Sequence, residues 1–171
     1  MDRVRALWLR HDKRIKCGRN VIIKPHVEIR IAENGVLELG DNVILDPYVF
    51  LQLTKPRPRL ILGDHVGIGR HCVLAIKGTT RIGAYTQIGP YCQIIDQGHG
   101  YLKDDLIINQ PAIVEDVTIG MDCWFGSGVR VLKGVTIHDG AVLGAGSVVT
   151  CDIPPYEIWA GVPAAFLKRR P

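Results

Sequence analysis

The segment Asp96-Gln97-Gly98-His99-Gly100 sets a carboxylate three residues before an imidazole. An imidazole with a pKa around 6.5 can take the proton of an attacking hydroxyl at neutral pH. Its second ring nitrogen needs a partner to fix the tautomer, and Asp96 could be that partner or could bind a substrate. By itself the segment reads more readily as an ordinary polar loop; the neighbouring motifs tip it towards catalysis. Other reactive side chains are less organised. The five cysteines, Cys17, Cys72, Cys92, Cys123 and Cys151, form no CxxC pair. Their odd number in a chain of this size argues against a disulfide framework. The six histidines lack zinc-ligand spacing; His65 and His71, six apart, fall on successive turns and read as exposed turn residues. No Ser or Cys stands beside a base, so a covalent intermediate is not expected.

The elements that must hold these residues follow from a six-residue period. Large apolar residues recur at Ile119, Phe125, Val131, Ile137, Leu143 and Val149. Two positions earlier lies a small or β-branched series: Val117, Cys123, Val129, Val135, Ala141 and Ser147. Earlier runs follow the same rule, as in Leu39, Leu45 and Leu51, then Leu62, Ile68 and Leu74, then Ile76, Ile82, Ile88 and Ile94. Neither a helix nor a plain strand repeats every six residues, but short strands joined by regular bends do. Three such strands close a triangular coil of about 18 residues, the hexapeptide form of the β-helix. Cys72, Cys92 and Cys123 then read as small core hydrophobes. Phase slips near 32–36, 52–59, Ala75 and 96–112 predict loops. The last of these holds His99, and a loop that breaks a solenoid is a place for function. Ser127 and Ala145 are 18 residues apart and share a column, so a long thin ligand along the prism axis would touch both.

The predicted organisation is a basic cap over 1–20, repeats over 21–153 with the loop at 96–111, and a tail over 154–171. The repeats suffice for roughly six coils. Flat apolar faces invite threefold self-association. Lys+Arg 21 against Asp+Glu 17 leaves a net charge of +4, too little to argue for a nucleic-acid partner. With 47% hydrophobic and 22% charged residues the chain is globular, not disordered. No apolar stretch reaches the roughly 18 residues of a membrane span, and Ala6-Leu7-Trp8-Leu9 is too short for a signal-peptide core, so a cytoplasmic protein is expected. The basic N-terminus with Leu7, Trp8 and Leu9 leaves open a contact with the anionic inner membrane surface.

Together with the repeats, Asp122-Cys123-Trp124-Phe125-Gly126-Ser127-Gly128, Gly144–Thr150, Asp152-Ile153-Pro154-Pro155 and Ala160-Gly161-Val162-Pro163-Ala164 resemble the hexapeptide-repeat O-acetyltransferases. That family includes the maltose and galactoside enzymes and those of colanic acid, O-antigen and capsule synthesis. The resemblance implies an all-β, left-handed parallel β-helix that forms homotrimers. It implies acetyl-CoA as co-substrate and a sugar or glycan-precursor acceptor, with no metal. His99 matches the catalytic base of an Asp-His-x-His-Gly segment, and Asp96 its Asp; Gln97 replaces the first His.

The same resemblance assigns contacts with acetyl-CoA to Ser127 and Ala145, whose backbone N–H groups could hold the thioester oxygen. Thr150 and Cys151 match a Thr-Lys pair that binds CoA, with Cys151 in place of the Lys. Ala165 stands where an Arg binds phosphate. Lys168 matches a later Arg and, with Arg169 and Arg170, could compensate near the 3′-phosphate. Trp124 matches a residue that lines the acceptor site, and Tyr101 could stack on a sugar ring. The γ-class carbonic anhydrases share this fold but need a His-x4-His spacing, which is absent here. The expected function is therefore direct acetyl transfer to a sugar hydroxyl. The alternatives are an amino sugar or serine as acceptor, or a non-catalytic β-helix scaffold.

Overall fold

A computed structural model describes residues 11–171. The basic side chains and apolar triplet at the extreme N-terminus lie outside the described residues. Three parallel sheets run side by side along one axis, and the chain visits them in turn. The first face begins at Ile15–Cys17 and ends at Thr136–Ile137; the second runs from Ile22–Ile23 through Val142–Leu143; the third runs from Glu28–Ile31 to Val148–Val149. Each strand pairs with its counterpart one coil away, as in a solenoid whose repeats touch only their neighbours.

Register carries the sequence period directly into columns. On the second face Ile23, Leu45, Ile68, Ile88, Phe125, Leu143 and Trp159 are successive partners. Residues two apart in a strand point to one side, so in Phe50–Leu53 both Leu51 and Leu53 are fully buried. The core is therefore a stack of aliphatic layers with one large aromatic, Phe125. Small residues fill the corners beside it. Two of the polar ones are hydrogen-bonded, the Thr86 hydroxyl donating to the Gly120 carbonyl at 2.8 Å and Ser147 to Gly144 at 2.6 Å, while the buried Thr80 hydroxyl has no partner among the described residues. The buried thiols behave the same way. Cys72 donates to the Gly89 carbonyl and Cys123 to the His138 carbonyl. Burial pushes the Cys123 thiol above its ordinary range, and contact with Cys92 together with burial does the same to Cys72. These buried thiols pack the core.

Two corners are built from single residues in the left-handed region. One holds Asn20, Asn42, His65, Tyr85, Asp122, Gly140 and Tyr156; the other His26, Tyr48, His71, Tyr91, Gly128 and Gly146. Non-glycine residues pay about 1 kcal/mol or more for this conformation. Ring stacking and side-chain hydrogen bonds between coils offset that cost, as in His65 on Tyr85 at 4.8 Å. The third corner carries every irregular excursion: 32–35, 54–58, Lys77–Gly78 and 96–116.

Both ends differ in detail from the sequence expectation. Ile15–Cys17 pairs with Val36–Leu39 in register, so the solenoid starts inside the stretch read as a cap. In the tail, Glu157–Ala160 adds a rung to the second face beside Val142–Leu143, and Ala165–Arg169 folds back antiparallel on it. No helix among the described residues is long and apolar enough to cross a membrane.

Candidate functional site

The corner between the second and third faces is one hydrogen-bonded column. The amide of His71 donates to the Pro47 carbonyl (3.2 Å), Tyr91 to Arg70 (2.9 Å), Gly128 to Pro90 (2.9 Å) and Gly146 to Ser127 (2.8 Å). The side chains on this column change abruptly along it. His26, Tyr48, His71 and Tyr91 form a ladder of parallel rings 4.8 to 5.0 Å apart. The next two positions are Gly128 and Gly146. A Cβ on Gly128 would meet only Gly146 backbone at 3.9 Å, and one on Gly146 would meet nothing within 4 Å. The outer surface of the column is thus open over these two coils.

The residue just before each corner position matters as much. In successive coils it is Pro25, Pro47, Arg70, Pro90, Ser127 and Ala145. Three of the first four have no N–H to satisfy. Ser127 and Ala145 do have one, and neither N–H has an acceptor among the described residues. On the neighbouring corner the equivalent amides of Arg19, Asp41 and Met121 are capped by the carboxylates of Asp41, Asp64 and Asp139, while those of Asp64, Ala84 and Asp139, like Arg70 in this column, have no acceptor among the described residues. Buried backbone donors are normally paired; Ser127 and Ala145 are exposed, so their N–H groups face solvent and are free to meet water or a ligand. An unpaired pair one coil apart, beside an open glycine column, is a place for a ligand oxygen.

His99 sits elsewhere, on a two-stranded antiparallel ribbon rooted at the third corner. Gln97–His99 pairs with Ala112–Val114, and His99 lies opposite Ala112. Its imidazole is exposed and hydrogen-bonds no side chain among the described residues. The ribbon tip is tied down by Gln110, whose amide bonds Leu102 N–H and C=O and the Asp105 carbonyl. The root is held by Asp96. This carboxylate is fully buried and accepts the Lys77 N–H at 2.8 Å and the Gly78 N–H at 2.9 Å. Burial raises its pKa against those two donors. Asp96 is therefore an anchor between coils and does not orient the His99 ring. Beside it Asp116 accepts the Thr79 N–H, and Glu115 pairs with Lys133 at 2.7 Å.

Comparison with known proteins gives this geometry a family. The model described as "Bacterial transferase hexapeptide (six repeats)" matches residues 116–151. The chain is 34% identical over 133 residues to a protein of Escherichia coli named as a colanic acid biosynthesis acetyltransferase, WcaF, covering 78% of this chain and 69% of that one. It is 30% identical over 170 residues to one named for lipopolysaccharide biosynthesis O-acetyl transfer, WbbJ, also of E. coli, covering 95% and 75%. The chain belongs to the hexapeptide-repeat acetyltransferases. Among solved structures, AntD, an N-acyltransferase of Bacillus cereus in complex with dTDP and 3-hydroxybutyryl-CoA, superposes with a TM-score of 0.79 at 20% identity, covering 90% of this chain and 82% of that one. At that identity the likeness speaks for the fold.

In this acetyltransferase the remaining expected residues divide between two edges. Ser127 and Ala145 stand on the open corner. Thr150 and Cys151 follow Val148–Val149 and are exposed on the third corner, the one that carries the His99 ribbon. The strand Arg130–Val131 lies between the two edges, and five residues of extended chain from Ser127 to Leu132 span about 16 Å. One chain does not bring His99 and Ser127 together. Trp124 is exposed on the outside of the second face, above Gln87 and below Val142. Ala165 opens the last strand opposite Ala160, and Lys168 pairs with Ile158 in it; both are exposed. Arg170 is held by Asp122 at 2.8 Å. Tyr101 is 76% exposed beside the ribbon, with Leu102, Leu106, Ile107 and Ile108 exposed along the same excursion. Among the described residues no group of three or more His, Cys, Asp or Glu could hold a metal ion.

Asp96 as a buried anchor was missed, and it left no sequence signal. The Ser127 and Ala145 amides, expected from the family resemblance, have a signal of their own: prolines at 25, 47 and 90 share their slot in the six-residue alignment.

Proposed function

We propose that this acetyltransferase moves an acetyl group from acetyl-CoA to a sugar hydroxyl in the cytoplasmic synthesis of a bacterial surface polysaccharide, and that it works as a homotrimer. The acetyl-CoA arm lies along the open corner over Gly128 and Gly146. The N–H groups of Ser127 and Ala145 bind its oxygens, and the Ser127 amide takes the negative charge that grows on the thioester carbonyl oxygen. Ala165 and Lys168 edge the coenzyme's far end, Lys168 with Arg169 draws its phosphates, and Thr150 and Cys151, on the ribbon's edge, reach the coenzyme from the second copy. The thioester supplies an activated acyl carbon with a good leaving group. His99 removes the hydroxyl proton as the C–O bond forms and the C–S bond breaks, and then returns it to the departing sulfur. Trp124 and Tyr101 bracket the acceptor. Asp96 keeps the ribbon at a fixed height.

Because His99 and Ser127 sit on different edges of one prism, a second copy must bring its ribbon to the first copy's glycine corner. The exposed apolar side chains of the ribbon excursion are the surface that such a contact would cover. The observation that carries the reading is the pair of unpaired amides beside the glycine column. The test is release of free thiol from acetyl-CoA across a panel of sugar acceptors. Transfer to a hydroxyl is the expected result. An enzyme that acetylates only amino sugars would favour N-acylation, the activity named for AntD, and no release with any acceptor would argue for a scaffold.

A further inference from the structure

The ring ladder ends at the very coil where the glycine column begins. Tyr91 and Gly128 are consecutive members of the corner column, joined by the Gly128 N–H to the Pro90 carbonyl. His71 covers one face of the Tyr91 ring at 5.0 Å. Over the other face, in the next coil, there is no side chain, and Tyr91 remains 58% exposed. The ring thus stands as an end wall to the open strip formed by Ser127, Gly128, Ala145 and Gly146.

The direction of a coenzyme in that strip follows from charge. Its phosphates belong at the end carrying Lys168 and Arg169, on the last strand. The acyl end therefore points the opposite way, toward the coil of Tyr91. From these relations we infer that Tyr91 is the acyl-size determinant: its ring closes the strip just beyond the thioester and admits an acetyl group but not a longer chain. The ring is held rigid by the stack beneath it, so it cannot yield as a lone tyrosine would. A wall made by a stacked ring discriminates by overlap with the longer chain, a repulsive element against the wrong ligand.

This inference rests on the coenzyme A reading above. The test measures dissociation constants of acetyl-, propionyl- and butyryl-CoA by calorimetry for the wild-type chain, Tyr91→Gly and Tyr91→Asn. Glycine and asparagine both tolerate the φ of +62° at this position, so the corner can form in either variant. The readout is the ratio of butyryl-CoA to acetyl-CoA dissociation constants. The expected result is a ratio of at least about tenfold in the wild type that falls close to one in both variants. A purely structural role for Tyr91 would weaken both ligands together and leave the ratio unchanged, and that outcome overturns the inference. A wild-type chain that binds all three thioesters equally overturns it too, while leaving the coenzyme reading intact. Failure of every thioester to bind the folded wild type sinks the coenzyme reading and this inference with it.

Discussion

The Cys92 thiol donates to the Gly126 carbonyl at 3.2 Å across 34 residues of chain, just as the Cys72 thiol donates to Gly89 at 3.1 Å across 17. The two bonds are equivalent steps from one coil to the next. The Cys92 bond spans twice the sequence because the 96–116 excursion leaves the prism and returns without altering its register. A functional ribbon can thus be inserted at one corner while the other corners keep their columns. That independence lets one edge carry the His99 ribbon while another carries the open glycine column.

The excursion depends on Asp96. Replacing it with Ala leaves the Lys77 and Gly78 amides without their acceptor in a buried place. A loss of about 2 kcal/mol in urea unfolding is expected. An unchanged midpoint would mean that water or a rearranged turn satisfies both amides.

His99→Ala should lower turnover by about 10²- to 10⁴-fold, the usual worth of a general base. Stabilisation by acetyl-CoA in a thermal shift should persist, since the imidazole takes the acceptor's proton and the backbone amides of the strip hold the coenzyme. Retained turnover would remove the imidazole from the chemistry.

A charge in the apolar ribbon tests assembly. Ile108 is 85% exposed in the chain alone, so Ile108→Glu costs the isolated fold little. Sedimentation should shift from trimer to monomer, with turnover lost alongside. A monomeric wild type at working concentration would contradict the shared site.

Acid stability has a defined contributor near the first strand. Hydrogen bonds from Arg14 hold the Asp12 carboxyl at a pKa of about 2, below its ordinary 3.8. A lowered acid stabilises the fold above its unfolded pKa and loses that contribution as pH falls through the folded value. The loss therefore falls between about pH 4 and pH 2. Asp96 acts in the opposite sense: its raised carboxyl favours the fold below about pH 4 and withdraws that support as pH rises. Comparing urea midpoints of Asp12→Asn and wild type at pH 5 and pH 2.5 isolates the first effect. The difference between the two proteins should shrink at the lower pH.

Much of the fold was legible because one constraint repeats. A residue such as Leu51 or Leu143 must face the axis in every coil, so a six-residue period survives any change of side chain. The start of the solenoid was less legible: Ile15 is a lone apolar residue among Arg14 and Lys16, and only pairing with Leu37 reveals it as a rung. The role of Asp96 was hidden for a related reason. Its partners are backbone amides 18 and 19 residues earlier, and backbone donors carry no letter in a sequence. His26, Tyr48, His71 and Tyr91 occupy one slot of the period, so their ladder could have been read from spacing. What spacing alone does not show is that Gly128 and Gly146 leave the same slot empty toward solvent.

The central claim is that the amides of Ser127 and Ala145 bind the coenzyme, and proline tests it directly. Pro25, Pro47 and Pro90 already occupy this slot in other coils, so the double variant Ser127→Pro, Ala145→Pro keeps the corner and deletes both amide donors, with Ser127→Ala as the control for the lost hydroxyl. Calorimetric titration with acetyl-CoA should show micromolar-range binding to the wild type. Affinity of the double variant should be weaker by about tenfold or more, for two lost hydrogen bonds of about 1 kcal/mol each, with a melting temperature close to wild type. Equal affinity in a folded double variant would contradict the account.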